Sequence, residues 1–158
     1  MCIRDRNKAS LNNNPSPGNK AGGLTTILEK SLGAAAKGGT TPLNDVLLYA
    51  QQSNRKGFLF MDSPGYDPTS VTGQVASGCN IVTFTTGRGS CFGCKPSPSI
   101  KIASNTEMYN KMAKDMDVNA GKVISDNKSI EDVGQEIFDS IVKVCLLYTS
   151  PSPRDRYI

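Results

Sequence analysis

The sequence predicts an α/β fold in which a mainly parallel sheet is flanked by helices. The first observation is that short apolar runs of strand length alternate with segments of helical periodicity, an order typical of parallel sheets. The second is the abundance of turn residues, with 15 glycines and 9 prolines among 158 residues. Since hydrophobic residues make up 37% of the chain, the composition supports one folded core.

In the first part of the chain we expect one short element, one helix and one strand. Residues 7–40 are rich in Asn, Pro, Gly, Thr and Lys, and they predict loops around a short apolar element at residues 24–28. Thr41-Pro42 is typical of a helix start, and the apolar positions of residues 43–52 have helical spacing. The apolar run at residues 57–61 predicts a buried strand.

The second part of the chain predicts an alternation of helices and strands. In order, these are a helix at residues 69–77 ending at Gly78, strands at residues 80–85 and 100–103, and a helix from Asn105 or Thr106 to Lys114. The final helix has a start resembling a capping box at Ser129 and Asp132. Its apolar stripe consists of Ile130, Val133, Ile137, Ile141 and Val144.

The two ends of the chain do not fit the pattern of their neighbours. Residues 1–6 and 145–158 share the string RDR, and both resemble translated adapter or vector sequence. Ordinary frayed termini are the alternative interpretation. We therefore predict non-native ends at 1–6 and 145–158, with residues 7–144 as the native region.

The charge and the hydropathy exclude several classes of function. The formal net charge is +4, and each unusual end contributes +1, so only +2 remains between them. So small a charge gives no argument for nucleic acid or for a membrane surface as partner. No apolar run approaches the roughly 18 to 20 residues needed to cross a bilayer, and no secretory signal is visible, so we expect a cytoplasmic protein.

The absence of histidine restricts the available chemistry. Catalysis by Ser-His-Asp or Cys-His groups cannot be assembled from this chain alone. A general acid or base within it must be Asp, Glu, Lys, Tyr or Cys.

The strongest local motif is a predicted strand that runs into a glycine-flanked arginine, NIVTFTTGRGS, at residues 80–90. Ligands of parallel sheets gather at the carboxyl ends of the strands. The two glycines let backbone amides approach an anion that Arg88 could bind with its forked guanidinium, and Thr86 and Ser90 add hydroxyl groups. A tight turn with a solvated arginine is the equally weighted alternative.

The segment NPSPGNKAGGLTTILEKSLG, residues 14–33, offers further polar groups from a stiff turn. Asn19 could bind a hydroxyl group and Lys20 a carboxylate, while Glu29 and Lys30 form an adjacent acid and base pair. From the residues alone, a polar loop with a solvated charged face is the favoured alternative.

Asp62 in DSPGYDP directly follows a predicted strand, where a catalytic or metal-binding carboxylate often lies. Asp67 precedes Pro68 and is expected to cap a helix. A structural role is the favoured alternative for Asp62 as well.

The cysteines and one acidic segment give weaker signals. Cys91 and Cys94 form a CxxC pair with Cys79 upstream, which could hold zinc or an iron–sulfur cluster or act as a redox couple. Because no second pair completes a ligand set, we expect reduced structural or incidental thiols. The segment KDMDVNAG, residues 114–121, starts like a calcium loop but lacks the required glutamate, and its alternation suits an extended segment.

Taken in order, four blocks make the chain resemble the C-terminal region of the altronate and galactarate dehydratase family. They are NPSPGNKAGGLTTILEKSLG, FMDSPGYDPTSVTGQVASG, FTTGRGSCFGCKPSPSIKIASNT and DMDVNAGKV, and they cover most of residues 14–124. The final helix, SIEDVGQEIFDSIVKV, also fits. DSPGYDP and KPSPS resemble the altronate branch more than the galactarate branch.

The resemblance implies a fragment of a larger multidomain hydro-lyase. It would dehydrate D-altronate to 2-dehydro-3-deoxy-D-gluconate in hexuronate catabolism, with a divalent metal, Fe(II), whose ligands lie largely outside this chain. The implied partner is a small sugar acid, without nucleic acid or membrane, and the full-length enzyme could form a homo-oligomer. We expect the isolated chain to be inactive.

The residue roles come from side-chain chemistry, since the resemblance does not supply them. Arg88 and Lys20 would neutralise the carboxylate and the enolate. Proton transfer would be carried out by Glu29, Lys30 or Asp62. The substrate hydroxyls would be bound by Thr86, Ser90 and Asn19.

Three alternatives remain open at this point. Within the family, the substrate could be galactarate or a related hydroxy acid such as sulfolactate. Outside it, the loop at residues 87–89 could belong to a non-catalytic module that binds anions or nucleotides, although the glycine pattern is not GxGxxG and no P-loop lysine follows. A metal or redox module built on the CxxC pair is a third possibility.

Overall fold

The computed structural model of the chain describes residues 8, 14–21 and 25–146. The two predicted non-native ends lie almost entirely outside the described residues. The elements follow in the order α1 (Pro17–Ala21), α2 (Ile27–Ala36), β1 (Leu43–Leu47), β2 (Phe58–Met61), α3 (Asp67–Ala76), β3 (Val82–Thr86), β4 (Ser99–Ala103), α4 (Thr106–Lys111), β5 (Val118–Asn119), α5 (Lys122–Ser125) and α6 (Ile130–Cys145).

The chain divides into two compact units, which are described one at a time. The first unit contains residues 1–45 and 56–58, and the second contains residues 46–55 and 59–158. The predicted α/β class is confirmed, since helices accompany a parallel sheet in the second unit.

Helix α2 dominates the first unit and corrects the expectation of a loop with only a short element at residues 24–28. The helix has ten residues, and Thr26 caps its start by accepting a hydrogen bond from the backbone N–H of Glu29 at 3.2 Å. Its last turn is an alanine run, and alanine has the highest helix propensity. Cap and propensity together explain a helix where the polar composition predicted loop.

The predicted helix at residues 43–52 is wrong, because residues 43–47 form strand β1. Strands β1 and β2 form a two-stranded sheet, and β2 confirms the strand expected at residues 57–61. A turn follows β1, in which Gln51 N–H donates to Leu48 O at 3.0 Å and Ala50 has a φ of +60°. A helix cannot continue through a residue with positive φ.

The second unit is built on a parallel sheet of strand order β3-β4-β5. Pairing of β3 with β4 runs from Val82 opposite Ser99 to Thr86 opposite Ala103. On the other side of β4, Ile102 lies opposite Val118. The strands predicted at residues 80–85 and 100–103 are thus confirmed with shifts of one or two residues at their ends. Their carboxyl ends meet at one edge, which we call the carboxyl edge.

Side chains alternate between the two faces of β4 and pack into two clusters. Ile100, Ile102 and Val118 are buried together, and Ile137, Ile141 and Val144 of α6 pack against them. The other cluster consists of Ala103, Met108 and Met116. The alternation therefore fixes which residues of β4 face α6.

The helices of the second unit largely agree with those predicted from the sequence. Helix α3 confirms the helix expected at residues 69–77, but Tyr66 takes the cap position and Asp67 is the first helical residue. Ser129 caps α6 by accepting a hydrogen bond from Asp132 N–H at 3.0 Å. Ile130 is 73% exposed and therefore lies off the buried stripe, because it precedes the turn that faces the sheet. No helix in the described part of the chain has the length and apolar character needed to span a membrane.

Candidate functional site

A loop without helix or strand connects β3 to β4 and forms the centre of the candidate site. It comprises residues 87–98, and we call it the arginine loop because Arg88 lies near its start. Parallel strands are usually connected through a helix. Irregular connections of about twelve residues are uncommon in compact domains and are often functional.

Hydrogen bonds to the end of β3 fold the start of the arginine loop back on itself. Thr86 Oγ1 accepts a hydrogen bond from Gly89 N–H at 3.1 Å, and Thr86 O accepts one from Ser104 N–H at 3.0 Å. Gly89 has a φ of +90°, a conformation that suits glycine. This turn leaves Arg88 exposed at the carboxyl edge.

Two side chains hold the same loop, one from the middle of β4 and one that follows its carboxyl end. Asn105 Nδ2 donates to Gly87 O at 2.9 Å, while Asn105 Oδ1 accepts Met108 N–H at 2.8 Å and so caps α4. The ammonium group of Lys101 donates to Ser90 O at 2.9 Å. The carbonyls of Gly87 and Ser90, on both sides of Arg88, are thus tied to one strand and its following turn.

Of the predicted residues in this motif, Thr86 ends β3, and Arg88 and Ser90 lie near the start of the arginine loop. Thr86 and Ser90 each accept a local backbone hydrogen bond, Ser90 Oγ from Phe92 N–H at 3.1 Å. Among the described residues, none accepts a hydrogen bond from either hydroxyl group, so both could still donate to a ligand. Among the described residues, none accepts a hydrogen bond from the Arg88 guanidinium. Arg88 could therefore form both bonds of a forked pair with a carboxylate.

Asp62 follows β2 directly, as predicted, and its side chain is exposed. Its backbone N–H donates to Leu47 O at 2.9 Å. Within the described part of the chain, no hydrogen bond joins the Asp62 carboxylate to the arginine loop. Asp62 and Arg88 belong to the same compact unit, but their joint use of one ligand stays a prediction.

The other four predicted site residues belong to the first unit. Asn19 and Lys20 are half-buried in α1, whereas Glu29 and Lys30 are exposed in the first turns of α2. Lys30 Nζ donates to Asn14 Oδ1 at 2.9 Å, and Glu29 accepts hydrogen bonds from Thr25. Glu29 and Lys30 therefore engage different partners, and their roles in proton transfer stay predictions.

The Glu29 carboxylate stabilises the start of α2. The hydroxyl and then the backbone N–H of Thr25 donate to it, and these bonds hold the pKa of Glu29 below its usual value of 4.5. Because the folded state favours the charged form, this stabilisation is complete above the unfolded-state pKa. It is lost as the pH falls through the lowered folded-state pKa. Acid should therefore loosen the first turn of α2.

We expect the carboxyl carbon of Glu29 to titrate below pH 4.5 and the helical chemical shifts of Ile27 and Leu28 to weaken over the same range. Carbon-13 NMR against pH measures both. The matched variant Thr25→Val lacks the hydroxyl donor, so the pKa of Glu29 should rise toward 4.5. An unchanged titration curve in that variant would contradict the assignment.

Sequence reasoning missed three residues that build the carboxyl edge. Lys101 and Asn105 hold the arginine loop, and Asn119 is buried at the end of β5. Asn119 Nδ2 donates to Thr106 Oγ1 at 3.1 Å, and Asn119 Oδ1 accepts Gly121 N–H at 3.0 Å. One signal was available: Lys101 interrupts the apolar run of a strand predicted for a parallel sheet, and such strands are usually buried on both faces.

The described residues form no cluster of candidate metal ligands. Within the part of the chain that the structure describes, no three His, Cys, Asp or Glu side chains lie close enough together to hold a metal ion. Cys79 and Cys91 are exposed free thiols, and Cys94 is a half-buried one. Asp117, suspected of opening a calcium loop, accepts Lys101 N–H with its carboxylate at 2.8 Å. The extended conformation that the alternation favoured is confirmed only for Val118–Asn119, which form β5. Residues 114 and 115 lie in a turn instead, where Asp115 N–H donates to Met112 O at 2.8 Å.

Comparison with known proteins shows which family the chain resembles. The family described as D-galactarate/Altronate dehydratase, C-terminal, matches residues 3–147. Galactarate dehydratase (L-threo-forming) of Escherichia coli is 41% identical over 87% of this chain and 26% of its own length. Altronate dehydratase of Bacillus subtilis is 43% identical over 83% of this chain and 26% of its own length.

A third relative is more distant. The (2R)-sulfolactate sulfo-lyase subunit beta of Chromohalobacter salexigens is 32% identical over 88% of this chain and 36% of its own length. The chain thus spans about a quarter of the length of the two dehydratases that it matches.

Proposed function

The chain belongs to the D-galactarate/altronate dehydratase family, and from this membership we propose that it forms the C-terminal part of a hydro-lyase acting on D-altronate. Water would be removed to give 2-dehydro-3-deoxy-D-gluconate. Galactarate is the second candidate substrate, because the relative named for it is 41% identical to this chain. We further propose that residues outside this chain hold the divalent metal, Fe(II), that the family resemblance implies.

One observation carries the proposal: Arg88 is exposed in a loop whose carbonyls are fixed on both sides. A guanidinium forms two parallel hydrogen bonds with a carboxylate, which gives both affinity and orientation. Because D-altronate has one carboxylate at a defined distance from its reacting carbons, binding that group positions the rest of the substrate.

The reaction breaks a C–H bond and a C–O bond. A base takes the proton from C2, next to the carboxylate, and the charge spreads over an enediolate. Hydroxide then leaves C3 with a proton as water, and the resulting enol becomes the 2-keto group. Arg88 would stabilise the enediolate charge, while the hydroxyl groups of Thr86 and Ser90 would bind substrate hydroxyls.

The base is proposed to be Asp62 rather than Glu29. The lowered pKa of Glu29 makes its carboxylate a weaker base, and its hydrogen bonds from Thr25 occupy it as a helix cap. Asp62 is exposed after β2 and belongs to the same unit as Arg88. Lys20 and Lys30 of the first unit remain candidates for charge neutralisation and proton transfer.

Two chimeric enzymes test the proposal. Residues 7–144 would replace the matching quarter of the altronate dehydratase of Bacillus subtilis, and in parallel that of the galactarate dehydratase of Escherichia coli. We expect the altronate host to regain more of its activity, measured as kcat/KM with added Fe(II), and the 158-residue chain alone to be inactive. Greater recovery in the galactarate host would favour the second candidate. Inactivity of both, with ATP binding to the isolated chain, would favour the nucleotide-binding alternative.

In the active chimera, Arg88→Ala is expected to lower kcat/KM by about 10- to 100-fold, because charge-assisted hydrogen bonds contribute roughly 1.5–3 kcal/mol. Arg88→Lys should recover only part of the loss, since an ammonium group lacks the fork. The control Lys114→Ala removes an exposed charge elsewhere in the second unit and should change little. Equal kcat/KM for Arg88→Ala and wild type would rule out the carboxylate assignment.

A further inference from the structure

Lys101 is a buried cation in the middle of the parallel sheet. It belongs to β4, where it lies opposite Phe84 of β3, and it is only 5% exposed. Its neighbours Ile100 and Ile102 are buried on the opposite face, in the cluster that α6 covers. Lys101 therefore projects from the face that the arginine loop can reach.

Packing alone does not explain a lysine at this position. Burying an ammonium group carries a desolvation penalty that only hydrogen bonds or charges can offset. Methionine or leucine would fill the same space without that penalty. The ammonium group must therefore contribute an interaction, and the carbonyl of Ser90, 2.9 Å away, is a partner.

That hydrogen bond acts on a segment that is otherwise held by scattered hydrogen bonds and by the buried residue Ser97. The arginine loop contains no helix or strand that would fix it. Farther along, Phe92 packs on Phe84 with ring centroids 6.2 Å apart, so the loop returns over the same sheet face. Lys101 fixes the loop between this aromatic contact and the turn that carries Arg88.

We propose that Lys101 is a positioning residue for substrate binding. Its ammonium group fixes the carbonyl of Ser90 and thereby orients the guanidinium of Arg88 and the amides beside it toward the sugar-acid carboxylate. This inference rests on the proposed function of Arg88, but the loop geometry can be tested without any substrate.

Amide hydrogen exchange of the 158-residue chain tests the geometry. In Lys101→Met, exchange at Gly89 and Phe92 should accelerate by about 10-fold or more, because their hydrogen bonds depend on the loop conformation. Asp117 N–H, bonded to Lys101 O across the sheet, serves as the internal reference and should change less. Lys101→Arg should restore most of the protection, and the control Lys114→Met should leave it unchanged.

Equal acceleration at all three amides would show general destabilisation and overturn the proposal, as would unchanged exchange at Gly89 and Phe92. If Lys101→Met does not fold, wild-type protein supplies the test. Its Lys101 ammonium protons should exchange slowly enough to give an NMR signal with a contact to Ser90. Absence of that signal would overturn the proposal too.

A double-mutant cycle in the active chimera tests the functional consequence. Lys101→Met should raise KM more than it lowers kcat, and adding Arg88→Ala should cost much less than it does in wild type, since the guanidinium is already misplaced. Additive losses would overturn the positioning role. If Arg88→Ala alone has no effect, the proposed function fails, while the exchange measurement still decides the role of Lys101 in the loop.

Discussion

Gly121→Ala is expected to destabilise the protein by about 1–3 kcal/mol or more, the range for groups forced into packed space. A Cβ atom at this position would lie 2.3 Å from the backbone nitrogen of Thr106 and 2.5 Å from the carbonyl carbon of Asn105. Both are backbone atoms at the start of α4, so relief requires movement of the carboxyl edge. Urea unfolding followed by circular dichroism measures the loss.

Gly134→Ala is the matched control, since both changes add one methyl group to a glycine. Gly134 lies within α6, and a Cβ atom there would meet nothing within 4 Å. Replacing a helical glycine by alanine stabilises by roughly 0.5–1 kcal/mol. Opposite signs for the two variants are therefore expected, and equal unfolding midpoints would contradict the packing at Gly121.

Ile100→Ala should cost about 2–5 kcal/mol, the range for large-to-small changes in a packed core. Ile100 is 2% exposed and forms a cluster with Ile102 and Val118 beneath α6. The cavity would separate β4 from the helix that covers it. Thermal and urea unfolding should both report the loss, with reduced protection of the α6 amides against hydrogen exchange.

Ile124→Ala removes the same atoms from a side chain that is 86% exposed, and its effect should stay within about 0.5 kcal/mol. Comparable losses at Ile100 and Ile124 would mean that the assignment of the core is wrong. A large loss at Ile100 without weakened protection in α6 would argue against the packing of the helix on this face.

Sequence patterns predicted an element correctly where all the signals for it lay within that element. Strands β3 and β4 were predicted because β-branched and apolar runs ended at turn residues. Helix α6 was predicted because a serine cap preceded a long apolar stripe. Such signals act within a few residues of the chain, so no knowledge of tertiary contacts was needed.

The helix prediction for residues 43–52 was wrong because their apolar spacing suits a helix as well as a strand. The strand conformation is selected by the pairing of β1 with β2, which is a contact between separate segments of the chain. Likewise, α2 was underestimated because its polar surroundings hid a threonine cap and an alanine run. Composition averages over a window, whereas a cap is a single hydrogen bond.

In the candidate site, too, residues with local sequence signals were predicted, and residues that act through tertiary contacts were not. Arg88 is predicted as a site residue from its flanking glycines, which are adjacent in sequence. Lys101 and Asn105 were missed because they contact the loop 11 and 18 residues away, across a parallel register that the sequence alone does not define. Family resemblance supplied the reaction class, and neither the glycine pattern nor the sheet could have done so.

Asn105 uses both ends of one amide, the oxygen on the start of α4 and the nitrogen on Gly87. Asparagine and aspartate are nearly equal as helix caps, so the fold would accept either. Only asparagine carries the N–H group that reaches the loop. The substitution Asn105→Asp would therefore release the loop while leaving the helix cap in place. A protein altered in this way would keep its melting temperature while its arginine loop lost one of its anchors.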